Sequence, residues 1–265
     1  MERTAPGDRS RLSGAWARSI APALSAIADL ILPVSCVVCE RLMPESEAGI
    51  VCGHCWSRVR ELPHPRCERC GHPRDAWSCR WCPNLPPFVR AARSFCWIGA
   101  GTGKNIVHAL KYDGWTRAAE AMAMRMARMS FPVDVASERF AVVPVPLSPS
   151  RLRERGFNQT ELLARHVAAR WKIPVGADVV VRGSSTRSQT ELTPGERKGN
   201  VAGAFSVPAP ARSAIKGQHL VLLDDVITTG ATLHAAASAL FAAGARTISY
   251  MTFGRAPASG DRLTP

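Results

Sequence analysis

The chain has 265 residues, is 46% hydrophobic and carries a formal net charge of +13. That length suits one main domain with a smaller companion, and no stretch approaches the roughly 18 to 20 uninterrupted apolar residues of a membrane helix. The basic balance favours anionic partners such as phosphorylated small molecules, nucleic acid or an acidic membrane surface, although arginine-rich coding in a high-GC genome accounts for it equally well.

At the N-terminus, Arg3, Arg9 and Arg11 precede a moderately apolar run from Trp16 to Leu32. Arg18, Pro22 and Asp29 interrupt that run, so it does not read as a secretory leader. Ile20, Leu24, Ile27 and Ile31 instead fall at helical spacing, which predicts a short amphipathic helix starting near Pro22 and stopping before Pro33. The expected location is cytoplasmic.

Eight of the nine cysteines then form four C-x-x-C pairs: Cys36 and Cys39, Cys52 and Cys55, Cys67 and Cys70, Cys79 and Cys82. Two thiolates three positions apart can turn back on one metal, and zinc takes four such ligands in a tetrahedron. Disulfides would need an oxidising compartment, redox C-x-x-C motifs occur singly beside a βαβ unit, and the spacing matches no ferredoxin pattern. Two structural Zn2+ ions are therefore expected. Either the pairs combine in order, or the first joins the third and the second the fourth. Closed four-cysteine sites leave no open coordination position, so these metals serve folding. Arg58, Arg60, Arg66, Arg69, Arg74, Arg80, Arg90 and Arg93 surround Trp56, Trp77 and Trp81. Arginines interleaved with rings suit single-stranded nucleic acid, but small zinc modules also use tryptophan as core, the reading preferred for two of the three. Cys96, between Phe95 and Trp97, is expected to be a buried strand residue.

The segment from Gly99 to Asn105 imitates a nucleotide P-loop. Ile98 stands where its first glycine belongs and Asn105 where its hydroxyl belongs, so a turn into a helix is predicted. Residues 141–146 (AVVPVP) read as a strand leading into a segment with Arg151, Arg153 and Arg155 at alternate positions. Such arginines suit a multiply charged anion, or else form a basic helix face. Further on, Arg182, Thr186, Gln189, Leu192, Arg197, Asn200 and Phe205 are spaced along a polar stretch expected to be a functional loop.

The densest signal lies at Leu220–Thr232. A continuous aliphatic run predicts a central parallel strand, and Ala231–Ala243 a helix stopped by Gly244. Asp224, Asp225, Val226, Ile227, Thr228, Thr229, Gly230, Ala231 and Thr232 thus lie between strand and helix, where open α/β sheets bind ligands. Free N–H groups and the dipole at a helix start favour a phosphate, with threonine hydroxyls as added donors. Carboxylates accept hydrogen bonds from the adjacent hydroxyls of a ribose. No cationic partner for the two acids is evident in sequence.

This string closely resembles the phosphoribosyl pyrophosphate (PRPP) motif of type I phosphoribosyltransferases. Together with the cysteine pairs and Leu110-Lys111-Tyr112-Asp113-Gly114, it is similar to the ComF family of competence-associated phosphoribosyltransferase-like proteins, over about residues 30 to 255. The resemblance implies an α/β fold of the type I phosphoribosyltransferase kind, a mainly parallel sheet flanked by helices, behind a double zinc ribbon. The implied organisation is a tail with a short helix (1–33), the ribbons (34–92) and the phosphoribosyltransferase-like domain (93–265). By the same resemblance Asp224 and Asp225 would contact the ribose, the Thr228–Thr232 segment would hold the 5′-phosphate, and Mg2+ would arrive with PRPP. Leu147, Ser148, Arg151, Arg153, Arg155 and Lys111 would face the pyrophosphate. Thr228 stands where 6-oxopurine salvage enzymes place a proton-handling aspartate, which argues against hypoxanthine or guanine as acceptor. A glutaminase half, as amidophosphoribosyl transfer would require, is not expected ahead of the ribbons. The expectations left are transfer to an unknown acceptor, PRPP sensing without turnover, or a competence factor that binds single-stranded DNA through the ribbons. Oligomerisation is left open.

Overall fold

A computed structural model describes residues 35–44, 49–74, 79, 81–112, 116–183, 203–257 and 261. The expected N-terminal helix, Trp77, Arg80, Asp113, Gly114 and the residues from Thr186 to Asn200 lie outside the described residues.

Four strands form one parallel sheet: β1 (Val89–Trp97), β2 (Arg139–Pro144), β5 (His219–Ile227) and β6 (Thr247–Arg255), in the order β1-β6-β5-β2. Central β5 is apolar on both faces, with Leu220, Val221, Leu222 and Leu223 fully buried, as a parallel sheet covered on both sides requires. A separate two-stranded ribbon pairs β3 (Val181–Arg182) with β4 (Phe205–Ser206).

Helices cover both faces. On one lie α2 (Thr102–Tyr112), α3 (Ala118–Ala127) and α6 (Gln159–Trp171), which bury Ile106, Leu110, Met122, Met126, Leu163 and Val167. The other carries α8 (Ala231–Ala242), which buries Leu233, Ala236 and Leu240. Three short helices, α4 (Val133–Glu138), α5 (Pro149–Arg155) and α7 (Ala209–Ile215), lie in the connections between these elements. As anticipated, residues 99–101 form a turn into a helix, Cys96 is buried in β1, and the helix after Gly230 ends before Gly244, whose φ is +106°.

The cysteine-rich segment is sewn to the sheet. Its first half, with the short helix α1 (Gly53–Ser57), packs Cys36, Ile50, Val51, Cys55 and Val59 into the core on the α2–α3 face. Its second half packs Cys67, Cys70 and Leu85 into the core on the α8 face. Between them the chain runs along the outer edge of β1. The Leu62 N–H donates to the Phe95 carbonyl at 3.2 Å, Trp97 N–H to Arg60 at 2.8 Å, and Ala92 N–H to Arg69 at 2.7 Å. An open strand edge invites unwanted pairing; here the ribbon segment closes it. Gly71 belongs to this seam. Its φ is +67°, and a Cβ there would lie 2.3 Å from the Ala92 carbonyl oxygen, so only glycine fits. β1 begins at Val89, so a division of the chain at 92/93 falls inside this strand.

Candidate functional site

The carboxyl ends of β1, β2 and β5 open on a cavity of about 370 Å3. Asp224, Asp225 and Val226 form its floor, Thr228 and Thr232 one rim, Val145 to Leu147 with Arg151 and Arg182 a second side, and α2 a third.

The two acids differ because successive strand residues point to opposite faces. Asp225, 4% exposed, faces α2 and α6. Its Oδ2 lies 2.9 Å from Lys111 Nζ and accepts from Gln159 Nε2 at 2.8 Å. Arg155 Nη1 donates to Gln159 Oε1 at 2.5 Å, which fixes the amide so that its NH2 faces the acid. Arg155 also lies over the Tyr112 ring. Asp224 accepts from the Asp225 N–H at 2.8 Å. Desolvation first, then the neighbouring Asp225 charge, push its carboxyl up to about 8, against the pull of Lys111 and Arg182. Asp225 therefore has a cationic partner that was not evident in the sequence. Lys111 lies far from this acid in sequence, and only the packing of α2 over β5 brings it there.

The turn after β5 places Thr228 and Thr229 in the open, and Ala231 N–H donates to Thr229 Oγ1 at 3.4 Å. Gly230 starts α8 with φ +82°, and a Cβ on it would come within 2.8 Å of His234 Nε2. The first N–H groups of a helix lack intrahelical partners, so this turn presents donors toward the cavity rim. Ile227 is buried beneath it and Ala231 is exposed.

The segment after β2 was legible either as an anion loop or as a basic helix. It is a helix, α5, with Ser148 as N-cap accepting from Arg151 N–H at 3.4 Å. Its approach is pinned: Thr160 Oγ1 donates to the Val145 carbonyl at 2.6 Å, and Val145 N–H to Leu223 at 2.9 Å. Of the six residues named for this side, Leu147, Arg151 and Lys111 line the cavity. Arg155 acts through Gln159, Ser148 caps the helix, and Arg153 is exposed on its outer surface. Sequence reasoning did not single out Gln159, which reaches Asp225 only through the packing of α6 over β5, and Arg182 appeared only within a polar pattern.

The eight cysteines gather as Cys36, Cys39, Cys52 and Cys55, and as Cys67, Cys70, Cys79 and Cys82, with the four sulfurs of each group within 4.8 Å of one another. The pairs therefore combine in order. Cys39 and Cys52 sulfurs are 3.7 Å apart, Cys67 and Cys82 3.3 Å, and Cys70 and Cys79 3.2 Å. A tetrahedral zinc with Zn–S bonds of about 2.3 Å needs sulfurs ~3.8 Å apart, so both donor sets fit Zn2+. Neither group leaves a position for substrate.

Three of the arginines named from sequence are structural. Arg69 donates to the carbonyls of Val89, Cys82, Leu85 and Pro86, and Arg93 to those of Ser130, Ala92 and Glu68. Arg66 donates to Leu62 and Pro63. Trp56 packs edge-on to Phe253 with Arg125 over its face, and Trp81 lies against His72 and Arg255. These two rings serve packing, as preferred from sequence.

Residues 27–85 match the double zinc ribbon domain and residues 159–262 the phosphoribosyl transferase domain. The DNA utilization protein YhgH of Salmonella typhimurium is 30% identical over 227 residues, 83% of this chain and 96% of that protein. Competence protein ComFC of Bacillus subtilis is 26% identical over 200 residues, 73% and 79% of the two chains. Competence protein F of Haemophilus influenzae is 37% identical over 94 residues, 36% and 41% of the two. Among solved structures, a glutamine PRPP amidotransferase from B. subtilis matches 51% of this chain and 26% of its own, at 20% identity and a TM-score of 0.35. Two four-cysteine sites on the edge of a parallel sheet, a strand–turn–helix bearing paired acids, and a relative matched along nearly its whole length together place this chain in the ComF family, a type I phosphoribosyltransferase-like domain behind a double zinc ribbon.

Proposed function

We propose that the cavity binds PRPP as its Mg2+ complex and transfers or senses the phosphoribosyl group, in a protein of competence or DNA utilisation. The observation that carries this reading is the pairing of Asp224 and Asp225 on the floor with a donor-rich turn one residue beyond the same strand. The acids accept from the ribose 2′- and 3′-hydroxyls. Thr228, Thr229, the Gly230 turn and Thr232 hold the 5′-phosphate, aided by the α8 N-terminus. Gly230 keeps the turn open, since any larger residue would meet His234. Arg151 and Arg182 take the pyrophosphate, with Lys111 able to leave Asp225 for it. The role in competence or DNA utilisation rests on what the relatives are called. A cytoplasmic setting suits eight metal-binding thiolates, which need a reducing compartment.

Single-stranded DNA binding through the ribbons gains no support from the site, because Arg66, Arg69 and Arg93 donate to backbone carbonyls. The test is titration of Mg-PRPP into the wild type and the Asp224→Asn/Asp225→Asn variant. Two charge-assisted acceptors are worth about two to four decades of affinity. Equal affinity in the two proteins refutes the assignment.

A further inference from the structure

The α2 wall of the cavity has a chemistry that ribose and phosphates do not require. Lys104, Val107, His108 and Lys111 stand at i, i+3, i+4 and i+7, one stripe of the helix, and all four line the cavity. Lys111 is paired with Asp225. Among the described residues Lys104 has no ion pair, and it is exposed. Ile98, at the end of β1, adds an apolar surface beside Val107.

The sheet order fixes which end of the cavity this is. The acids stand on β5. Arg151 comes from the helix after β2, on one flank of β5, whereas the N-terminal end of α2, with Lys104, follows β1 on the other flank beyond β6; its C-terminal end, with Lys111, crosses to Asp225 on β5. In direct displacement at the anomeric carbon, the nucleophile arrives on the face opposite the leaving group. With pyrophosphate at Arg151 and Arg182, the acceptor occupies the Lys104 end of α2.

We infer that the α2 wall is the acceptor subsite and takes a flat nitrogen nucleophile bearing a carboxylate. This rests on the phosphoribosyl reading of the same cavity. The ring lies on Ile98 and Val107, and the carboxylate pairs with Lys104. The acceptor nitrogen's lone pair forms the bond to the ribosyl C1 as the C1–O bond breaks, and that electron pair leaves with pyrophosphate. Where the acceptor nitrogen carries a proton, as in anthranilate or orotate, that proton passes to the His108 imidazole, which lines the same wall; a pyridine nitrogen has none to lose.

Matched pairs test it: nicotinate against nicotinamide, anthranilate against aniline, orotate against uracil. Each is titrated into the full chain saturated with Mg-PRPP, with pyrophosphate release followed in parallel. The carboxylated member of at least one pair should bind about tenfold or more tightly than its neutral partner, the range of one charge-assisted contact. Lys104→Met should erase that preference and Lys104→Glu reverse it, with thermal melts verifying both folds. Binding of PRPP with no carboxylate preference in any pair, or a preference that survives Lys104→Met, overturns the acceptor assignment alone. If the wild type does not bind Mg-PRPP at all, the phosphoribosyl reading fails and takes this one with it.

Discussion

Replacing Asp224 by Asn should stabilise the ligand-free protein at alkaline pH and leave it unchanged near pH 4. In the folded chain, desolvation and the Asp225 charge hold the Asp224 carboxyl up to about 8, whereas its ordinary value is 3.8. Between those limits the folded state keeps a proton that the unfolded chain has lost. Stability therefore falls as pH rises from about 4 and levels off above about 8. One pH unit is worth about 1.4 kcal/mol, so the interval sets a ceiling of roughly 6 kcal/mol. Solvent reaches the half-buried carboxyl, and the Lys111 and Arg182 charges lie nearby, so the net penalty should be about 1 to 3 kcal/mol. Asn removes the charge and keeps an acceptor oxygen for the Asp225 N–H. Thermal melts of wild type and variant from pH 4 to 9 should diverge with rising pH, by about 2 to 4 °C per kcal/mol for a domain of this size. Parallel curves, or a variant that is less stable at pH 8.5, would refute the argument.

Three further outcomes follow from the packing. Metal analysis should find two zinc ions per chain; iron, or one zinc with four titratable thiols, would contradict the paired tetrathiolate sites. Arg69→Ala should lower stability by about 2 to 4 kcal/mol because four backbone carbonyls lose their donor, whereas exposed Arg60→Ala should change it by less than about 0.5 kcal/mol; denaturant unfolding separates the two. Gln159→Leu should weaken Mg-PRPP binding about tenfold by leaving Asp225 without its neutral donor, as calorimetry would measure; unchanged affinity would mean the amide does not orient the acid.

What the sequence discloses depends on the range of the interaction. The β5–turn–α8 unit is legible because an aliphatic run, two acids, Thr-Thr-Gly and an alanine-rich helix adjoin one another, each stating its own preference. The cysteine spacing likewise announces metal, but both pairing schemes use the same thiolates, and only the fold around α1 brings Cys36 and Cys39 to Cys52 and Cys55. Residues after Ser148 carry signals for a loop and for a helix at once. The Ser148 cap and Pro149 in the first turn favour the helix. Contacts between distant segments leave no local trace. Lys111 against Asp225, and Arg155 through Gln159 to the same acid, depend on α2 and α6 packing over β5.

The placement of the ribbons has a mechanical consequence for the cavity. β1 is an edge strand whose inner side pairs with β6 and whose outer side is held by the chain around Arg60, Leu62 and Arg69. The same strand ends at Trp97, and Ile98 and α2, the third wall of the cavity, follow directly from it. Arg255, 2% exposed at the end of β6, donates to the Cys70 carbonyl at 2.7 Å and lies over Trp81. Beyond its partner strand, then, β6 is also tied to the second metal site. Zinc in these ribbons does no chemistry on substrate, yet the knuckles it closes fix the strand that carries Ile98 and α2. Metal loss should therefore be felt first along the β1 edge and at the α2 wall, ahead of the acids on β5, which is paired on both sides within the sheet and touches the ribbons only through β6.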